Sequence, residues 1–378
     1  MYYKHAKSFL TFVYEVMNMT QRERQILQLI EANPMISQQE LANELNITRS
    51  SVAVHISNLL KKGYIAGKGY VLRSGAYAVV VGGVNVDIGG RSYQTLVAED
   101  SNPGVVTTSL GGVGRNIAHN LALLGTDVRM LTAFGDDIHG QQVAASCAEL
   151  GIDASHALRV TGGTTSTYVY IADPDGEMAL AISDMQICQK ISPAYLSSNL
   201  SMLQNAQVVV ADTNIPEESL VYLAENVTAP LFCDPVSTKK AEKLLPILDR
   251  IHTLKPNRLE AELLSGVPIN TPEDAPKAAQ ALLKKGVHRV FLSMGAHGIY
   301  AATAQEQYWV KNLPGNMVNT TGCGDSAMAA LTWAYLEGTD LYHTALACVA
   351  AGAITMESAQ TINPAMSATA LKARMGNQ

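Results

Sequence analysis

The feature of this 378-residue chain that most restricts its fold is a repeated alternation of short apolar runs with helical stretches. The apolar runs have the length of strands and span residues 76–81, 207–211, 231–234, 251–255 and 289–293. Runs of this kind are typical of buried parallel strands that are connected by crossover helices. We therefore predict an α/β domain over residues 75–375, in which helices wrap a parallel sheet.

A second, smaller sheet is predicted near residues 164–182. Two segments of alternating polarity there flank the turn sequence Asp173-Pro174-Asp175-Gly176. This pattern is typical of a β-hairpin and favours an inserted sheet over a strand of the buried core. We expect the inserted sheet, here called the lid, to comprise residues 88–110 and 160–184.

Residues 18–73 form a basic segment with a helical pattern of its own. They contain seven Lys/Arg and four Glu, whereas the whole chain carries a formal net charge of −6.

The same segment has the pattern of three helices and a hairpin. The pairs Thr20–Glu23 and Ser37–Glu40 fit capping boxes that begin two helices. Thr48 can cap a third helix, and residues 63–72 favour a small hairpin. This order of elements predicts a winged helix-turn-helix domain that binds DNA.

DNA contacts are predicted from the polar residues of the third helix and the hairpin. Residues at the start of the third helix would enter the major groove, and lysines would contact phosphates. The predicted base contacts are Arg49, Ser50 and Ser51, and the predicted phosphate contacts are Lys61, Lys62 and Lys68. The alternative is that this unit only mediates dimerisation or tethers the chain.

The N-terminus and the cysteines indicate where the protein works. Glu15 interrupts the apolar part of residues 1–17 and no small-residue cleavage site follows, so we expect a disordered or partly helical extension, not a signal peptide. Five scattered cysteines without a CxxC pair argue against a disulfide framework or a zinc site. No apolar run reaches the ~18 residues of a membrane span. We therefore expect a cytoplasmic protein without a membrane partner.

The turn Thr321-Gly322-Cys323-Gly324-Asp325 has the strongest chemical character and precedes an Ala-rich apolar helix. Free N–H groups and the dipole at the start of a helix attract anions, and glycines allow an anion to approach closely. A carboxylate fixed beside such a site fits removal of a proton from an incoming hydroxyl group. The alternative is a glycine turn in which Asp325 only caps the helix.

Other polar residues follow predicted strands, where parallel sheets bind ligands. Asp87 follows the first strand and could hold two neighbouring sugar hydroxyls, or could cap a turn. Asn257 and Glu260 share one helical face and could position Mg²⁺ and its waters, or could only cap their helix. Residues 111–116, Gly-Gly-Val-Gly-Arg-Asn, match neither a dinucleotide-binding fingerprint nor a P-loop.

Three motifs in chain order resemble the ribokinase (PfkB) family of sugar and nucleoside kinases over residues 76–370: residues 111–116, Asn257-x-x-Glu260 and the 321–325 turn. Residues 101–104, 111–125, 251–262 and 292–295 further resemble bacterial pseudouridine kinases. The resemblance implies a ribokinase-like, Rossmann-type three-layer α/β sandwich with a small β lid, which follows the winged helix-turn-helix domain.

The resemblance also implies roles for individual residues. Asp325 would be the general base, and the backbone of Gly322, Cys323 and Gly324 would form an anion hole for the transferred phosphoryl group. The implied substrate-binding residues are Asn85, Asp87, Gly111, Gly112, Asn116 and Glu177. The implied ATP-binding residues are Asn257, Glu260, Ser293, Gly295 and Thr321, with Glu260 holding Mg²⁺ through water. Candidates for the nucleobase end of the pocket are Arg115, Ser183, Asp184 and Met185.

Two residues depart from the family pattern. Cys323 stands where alanine is usual, and Asn319 stands where many relatives carry an aspartate that helps to bind a monovalent cation. Since an amide is a weaker cation ligand than a carboxylate, K⁺ is an open alternative beside ATP and Mg²⁺.

The leading hypothesis is ATP-dependent phosphorylation of the 5′-hydroxyl of a ribonucleoside, with pseudouridine as the first choice, by a homodimer joined through the lid. One alternative is a kinase for another nucleoside or a free sugar. The other is a transcriptional regulator whose kinase-like domain senses a ligand. The presence of Asp325, Asn257 and Glu260 argues against a pure sensor, which needs no general base.

Overall fold

The computed structural model of the protein describes residues 20–33, 36–62, 64–65 and 76–376. The chain divides into two compact units, Met1–Ala76 and Tyr77–Gln378. The predicted extension at residues 1–17, Lys68 with the rest of residues 66–75, and the side chain of Lys61 lie outside the described part.

The first unit contains the helices α1 (Gln21–Ala32), α2 (Gln38–Glu44) and α3 (Arg49–Lys61). Both predicted capping boxes are present, at Thr20 and Ser37, and Thr48 accepts the N–H of Ser51 at the start of α3. The three helices close around a small core that contains Ile26, Ile30, Leu41, Val52, Ile56 and Leu59. The predicted three-helix arrangement is therefore confirmed.

The second unit contains strands of two main sheets and the helices that cover them. The strands are β1 (Tyr77–Val81), β2 (Asn85–Ser92), β3 (Gly104–Gly111), β4 (Asp127–Leu131), β5 (Ala133–Gly135), β6 (Leu158–Val160), β7 (Thr167–Ala172), β8 (Met178–Asp184), β9 (Val208–Asp212), β10 (Leu231–Asp234), β11 (Thr253–Leu254), β12 (Arg289–Ser293), β13 (Ile299–Ala302) and β14 (Gln307–Val310). The α-helices are α4 (Val113–Leu123), α5 (Ile138–Glu149), α6 (Pro193–Ser198), α7 (Leu200–Asn205), α8 (Glu217–Asn226), α9 (Thr238–Ala241), α10 (Arg258–Ser265), α11 (Ala275–Lys284), α12 (Cys323–Leu336), α13 (Leu341–Met356) and α14 (Ala368–Gly376).

The larger sheet has the strand order β14-β13-β12-β11-β10-β9-β1-β4. Six neighbouring strands of this sheet run parallel, namely β4, β1, β9, β10, β11 and β12. Strands β13 and β14 are antiparallel and complete one edge. Successive side chains of a strand point to opposite faces, so Ala78 and Val80 join one hydrophobic cluster whereas Val79 and Val81 join the other. Helices cover both faces, and the three-layer sandwich is confirmed.

The smaller sheet is the predicted lid, with the strand order β3-β2-β7-β8. Strands β7 and β8 are antiparallel, as a hairpin requires, and β2 pairs with β3 and β7. One face of the sheet is apolar and largely exposed, and we call it the apolar lid face. It consists of Ile88, Val106, Val169, Ile171, Leu180 and Ile182.

One local expectation was wrong. Asp87 was expected at the carboxyl end of the first strand of the large sheet, but it lies inside β2 of the lid. The chain leaves β1 through Gly82 and Gly83 and enters the lid directly. The apolar residues that follow the glycines therefore belong to the second sheet, and Asp87 is carried by the lid.

Candidate active site

The turn before α12 has a backbone conformation that favours glycine. Gly322 is the N-cap residue, with φ of 84°, and no side chain caps the helix. A Cβ atom at Gly322 would lie 2.2 Å from the carbonyl oxygen of Thr361. Cys323, Gly324 and Asp325 form the first turn of α12. The N–H group of Cys323 donates to the carbonyl of Thr320 at 3.3 Å, which contradicts its expected place in the anion hole, whereas the N–H groups that follow it at the start of the helix can receive an anion.

Asp325 does not cap its helix. Its Oδ2 accepts a hydrogen bond of 2.8 Å from Nδ2 of Asn116, which lies in the first turn of α4. Burial, followed by the nearby charge of Asp234, raises the pKa of Asp325 to about 7. No ion pair engages Asp325 among the residues that the structure describes. The capping alternative is thus excluded, and the carboxyl group is suited to exchanging a proton near neutral pH.

A buried ion pair lies beside this turn. Nζ of Lys255 is 3.1 Å from Oδ2 of Asp234, and both side chains are 7% exposed. A Cβ at Gly324 would lie 3.7 Å from the same Nζ. Burial alone would lower the pKa of Lys255, but Asp234, Glu260 and Asp325 raise it above its ordinary value, so the ammonium stays charged. Sequence reasoning assigned no role to Lys255 or Asp234; their positions at the ends of adjacent strands were the available signal.

The glycine motif before α4 is held against the end of β1. Gly112 is the N-cap of α4 with φ of 98°, and a Cβ there would lie 2.6 Å from the carbonyl oxygen of Gly83. Oδ2 of Asp212 accepts the N–H groups of Gly83 and Gly114 at 2.9 and 2.7 Å. Asp212 therefore joins β1 to α4, a function that sequence analysis missed.

Asp87 lies in the lid close to this motif. Its Oδ1 accepts a bond of 2.6 Å from Nδ2 of Asn85, and its Oδ2 would be 2.1 Å from a Cβ at Gly111. Burial raises its pKa, against the opposing effects of the Asn85 bond and the charge of Arg115. A glycine is therefore required at position 111, and Asn85, Asp87 and Gly111 form one cluster. Glu177 is exposed at the tip of the β7–β8 hairpin, where its backbone pairs with Asp173.

The predicted nucleobase-end residues are separated in the structure. Asp87, Tyr168 and Ser183 are aligned across β2, β7 and β8 and share one face of the lid. Cε of Met185 would lie 3.1 Å from a Cβ at Gly83, whereas Oδ1 of Asp184 accepts the N–H of Gln186. Arg115 is buried and bonds Leu110 and Ser146, which contradicts its expected position in the pocket lining.

A cavity of about 870 Å³ adjoins the start of α12. Its polar lining includes Lys255, Asn257, Ser293 and Gly295, and its apolar lining includes Met294, Ile299, Leu313, Val349 and Met356. Asn257 and Glu260 form a capping box at the start of α10, so the capping alternative raised for this pair is present in the structure. Burial raises the pKa of Glu260. A pocket with a few polar groups on an apolar wall is typical of a small-molecule or cofactor site.

Asn319 fastens the loop before α12 to the segment after α13. Its Nδ2 donates to the carbonyl of Ala359 at 3.1 Å, and its Oδ1 accepts the N–H of Thr321 at 3.0 Å. Thr321 itself is exposed. Both polar atoms of the Asn319 side chain are therefore engaged by the protein.

In the first unit, Arg49 and Ser50 are exposed and Ser51 is half-buried at the start of α3. Lys62 differs, because its Nζ pairs with Oε2 of Glu23 at 2.8 Å and Glu23 is 1% exposed. Burial raises the pKa of Glu23, but bonds from Lys62 and Thr20 hold it below its ordinary value. Lys62 thus has a structural partner as well as its predicted contact with phosphate.

Among the described residues, no group of three or more His, Cys, Asp or Glu side chains is placed to hold a metal ion. Within the same residues, no helix has the length and apolar character needed to cross a membrane.

Comparisons with known proteins agree with this geometry. Residues 76–368 match the pfkB family of carbohydrate kinases, and residues 19–66 match a winged helix-turn-helix DNA-binding family. The uncharacterized sugar kinase YeiI of Escherichia coli is 39% identical over 354 residues, which cover 93% of this chain and 97% of that protein. The pseudouridine kinase of Escherichia coli is 39% identical over 298 residues, which cover 78% and 95% of the two chains.

Solved structures show the same fold. A carbohydrate kinase from Agrobacterium tumefaciens has a TM-score of 0.71 at 27% identity and covers 80% of this chain and 97% of its own. Arabidopsis thaliana ribokinase, complexed with ribose and ATP, has a TM-score of 0.72 at 23% identity, with coverages of 81% and 100%. The chain therefore belongs to the PfkB family of carbohydrate kinases, as a sugar or nucleoside kinase that carries an N-terminal winged helix-turn-helix.

Proposed function

We propose that this kinase transfers the γ-phosphoryl group of ATP to the 5′-hydroxyl of a ribonucleoside, and that pseudouridine is the preferred substrate. The observation that carries the proposal is the Asp325 carboxyl group, whose pKa is raised to about 7 at the start of α12 and which has Asn116 as its hydrogen-bond donor. A general base acts best when its pKa lies near the working pH.

Asp325 takes the proton of the attacking hydroxyl as the bond from oxygen to phosphorus forms and the bond to ADP breaks. The N–H group of Gly324 and the ammonium of Lys255 stabilise the negative charge on the transferred group. Because phosphoryl transfer needs little covalent assistance, position and fixed positive potential account for most of the catalysis.

The sugar is held by the cluster around Asp87. The Asp87 carboxylate accepts hydrogen bonds from two ribose hydroxyls, next to Asn85, Gly111 and Gly112. Asn116 links this cluster to Asp325 because its side chain reaches the base. Glu177 approaches the substrate only when the lid closes over it, which also excludes water and prevents ATP hydrolysis.

The nucleobase lies against the lid face that carries Asp87. Tyr168 and Ser183 follow Asp87 across the strands on this face, so they are next to a base attached to a ribose whose hydroxyls bind Asp87. An aromatic ring and a hydroxyl group fit a planar, polar base better than they fit the solvent-facing carbon of a free sugar.

ATP occupies the cavity beside α12, with Asn257, Ser293, Gly295 and Thr321 near it. Asn257 and Glu260 would hold Mg²⁺ through water, because their hard oxygen atoms suit this ion. Mg²⁺ bound there would neutralise charge on the phosphates. A site that binds the ion through water fits the described part of the chain, in which no group of three or more His, Cys, Asp or Glu side chains is placed to hold a metal.

We infer that K⁺ is not required. The amide nitrogen of Asn319 donates to the carbonyl of Ala359. This carbonyl oxygen therefore faces an N–H donor, whose positive end disfavours a cation. Replacement by aspartate would remove this donor and add a negative charge.

The nucleoside assignment is tested by a coupled assay of ADP release with pseudouridine, uridine, inosine, ribose and fructose. We expect the highest kcat/KM with pseudouridine, in line with the named relative of 39% identity. A preference for ribose or fructose would contradict the nucleoside assignment and leave the kinase assignment in place. A preference for inosine would favour the activity of a guanosine-inosine kinase, which is 30% identical over 260 residues.

The protein works as a homodimer joined through the lid. The apolar lid face has Val106 at 70%, Ile182 at 66% and Leu180 at 63% exposure, and a contiguous apolar patch of this kind is typical of an interface. A second copy presents the same face, so a two-fold axis through the lids covers both. Sedimentation of Leu180→Lys against the wild type tests this, with a monomer as the expected result.

A second function, DNA binding by the winged helix, is supported by the exposed Arg49 and Ser50 at the start of α3. In the dimer, two such helices would read a symmetric operator. The affinity of the full chain for DNA upstream of its own gene should fall steeply with salt, and Arg49→Ala should reduce specificity. A flat salt response would leave the domain as a tether.

ATP as substrate and free cysteines throughout the described chain suit a cytoplasmic enzyme.

A further inference from the structure

Arg115 is a buried cation in an unfavourable position. It lies in the first turn of α4 and is 5% exposed. Positive charge at the start of a helix meets the positive end of the helix dipole, and burial of a charge is costly unless the charge is paired. The side chain therefore does not serve the stability of its own helix.

The guanidinium group of Arg115 connects the lid to a helix that packs on the larger sheet. Its Nη1 donates to the carbonyl of Leu110 in β3 at 3.2 Å, and its Nη2 donates to Oγ of Ser146 in α5 at 2.9 Å. Its Nε is buried without a partner, and no carboxylate forms an ion pair with it within the described chain. Arg115 thus fixes the last residues of a lid strand, yet part of its positive charge is not balanced by direct contact.

Asp87 lies beside the strand end that Arg115 holds, because its Oδ2 would be 2.1 Å from a Cβ at Gly111, the residue that follows Leu110. The charge of Arg115 acts on this carboxyl group. His119 and Cys147 are also near Arg115, but burial lowers the pKa of His119 to about 4 and raises the pKa of the Cys147 thiol, so both are uncharged at neutral pH. At Asp87, burial raises the pKa, while the Asn85 bond and the charge of Arg115 act in the opposite direction. The remaining neighbours of Asp87 in the sheet, Ser109 and Tyr168, have hydroxyl side chains.

We propose that Arg115 is a positioning residue, which places its positive charge beside Asp87 and holds the adjacent end of the lid strand β3 so that the Asp87 carboxylate accepts hydrogen bonds from two substrate hydroxyl groups. The inference rests on the proposed function, in which Asp87 binds the sugar. A protonated carboxyl group would present a donor in place of one acceptor and would bind a diol poorly. Arg115 therefore acts through Asp87 and touches neither the substrate nor the phosphate.

The test compares Arg115→Gln with Arg115→Lys and Ser146→Ala. R115Q removes the positive charge. R115K keeps the charge but loses the two guanidinium nitrogens that donate to Leu110 and Ser146, and S146A removes only one acceptor. Binding of pseudouridine is measured calorimetrically without ATP between about pH 5 and 8, together with kcat and KM. We expect R115Q to raise Kd and KM roughly tenfold or more at pH 7. The pH below which pseudouridine no longer binds, here called the pH limit, should move upward by about one unit in R115Q. S146A and R115K should retain the wild-type pH limit.

The proposal would be overturned by an R115Q enzyme that keeps the wild-type pH limit of binding and the wild-type KM and differs only in melting temperature. Arg115 would then have a purely structural role. If R115Q does not fold, R115K provides the test: because R115K retains the charge, an upward shift of its pH limit by a full unit would overturn the proposal. Asp87→Asn separates the two levels of the argument. If D87N binds pseudouridine as the wild type does, the sugar-binding function of Asp87 is wrong. If D87N weakens binding but R115Q does not, only the inference about Arg115 fails.

Discussion

Asn116 and Asp325 are 209 residues apart in the chain, and Nδ2 of Asn116 donates to Oδ2 of Asp325 at 2.8 Å. Each residue lies in the first turn of a helix that begins at a glycine, α4 at Gly112 and α12 at Gly322. The bond fixes one carboxyl oxygen of Asp325. In the function that we propose, the other oxygen would accept the hydroxyl group of the substrate, and the bond would couple the sugar-binding motif to the phosphate-binding motif.

The first prediction concerns this carboxyl group. Asp325→Asn should lower kcat by ~10²- to 10⁴-fold because no group remains to take the proton. Pseudouridine affinity should stay within a few-fold of the wild type, since the ribose contacts are unchanged. Single-turnover assays and calorimetric titration measure the two effects, and Asp175→Asn at the exposed hairpin tip is the matched control. Near-normal turnover in D325N would remove the general-base assignment.

The pH dependence of the rate follows from the pKa of Asp325, which burial and then Asp234 raise to about 7. The base is active only when ionised, so kcat/KM should fall roughly tenfold per unit below about pH 7. A profile of kcat/KM from about pH 5 to 9 checks this. A rate that stays level down to about pH 5 would contradict a base with this pKa.

The same carboxyl group should lower stability as the pH rises. Since its folded-state pKa lies above that of the unfolded chain, the native state binds the extra proton, and the free energy of unfolding decreases between about pH 4 and 7. D325N removes this cost, so its melting temperature should exceed that of the wild type by a few degrees at pH 8 and match it near pH 4. An equal difference at both pH values would indicate a cause other than ionisation.

Lys255→Met should separate catalysis from stability. Loss of the ammonium beside Gly324 should lower kcat by ~10²- to 10³-fold. It should also lower the free energy of unfolding by about 3 kcal/mol, because Asp234 is left buried and unpaired. The double variant with Asp234→Asn should regain much of the stability but none of the rate. Recovery of the rate in the double variant would show that the ion pair is only structural.

Gly322→Ala should damage the turn more than an ordinary glycine replacement does. Gly322 and Gly338 both have positive φ, of 84° and 70°. A Cβ at Gly338 meets nothing within 4 Å, whereas a Cβ at Gly322 meets the carbonyl of Thr361. We expect a loss of about 1 kcal/mol for G338A with full activity, and a larger loss with reduced kcat for G322A. Chemical unfolding and steady-state kinetics provide the comparison.

The sequence predicted elements whose signals are local. The strand Leu231–Asp234 and the strand Arg289–Ser293 have the predicted bounds, because continuous apolar runs and their flanking turns determine them. The capping boxes at Thr20 and Ser37 were equally clear, since each is specified by residue types three positions apart. The order of the three site motifs indicated the fold through its resemblance to the ribokinase (PfkB) family.

The long-range relationships could not be predicted. Strands β13 and β14 are four residues each, and their antiparallel edge position depends on partners rather than on their own pattern. Asp87 was assigned to the wrong sheet because a buried strand and a half-buried strand both begin with alternating apolar residues. The Lys255–Asp234 pair and the burial of Arg115 arise from tertiary packing, which leaves no periodic signal in the sequence.

The carboxylate of Asp212 accepts the amides of both Gly83 and Gly114, and both glycines lie close to the ends of lid strands. The lid strand β2 begins at Asn85, two residues after Gly83, and β3 ends at Gly111, three residues before Gly114. In the function that we propose, rotation of the lid would therefore take place in the few backbone bonds between these glycines and the two strands. Asp87 lies in β2 and would move with the lid, so binding of the sugar and closure over it would be a single movement, and a compound that Asp87 does not bind would leave the lid open.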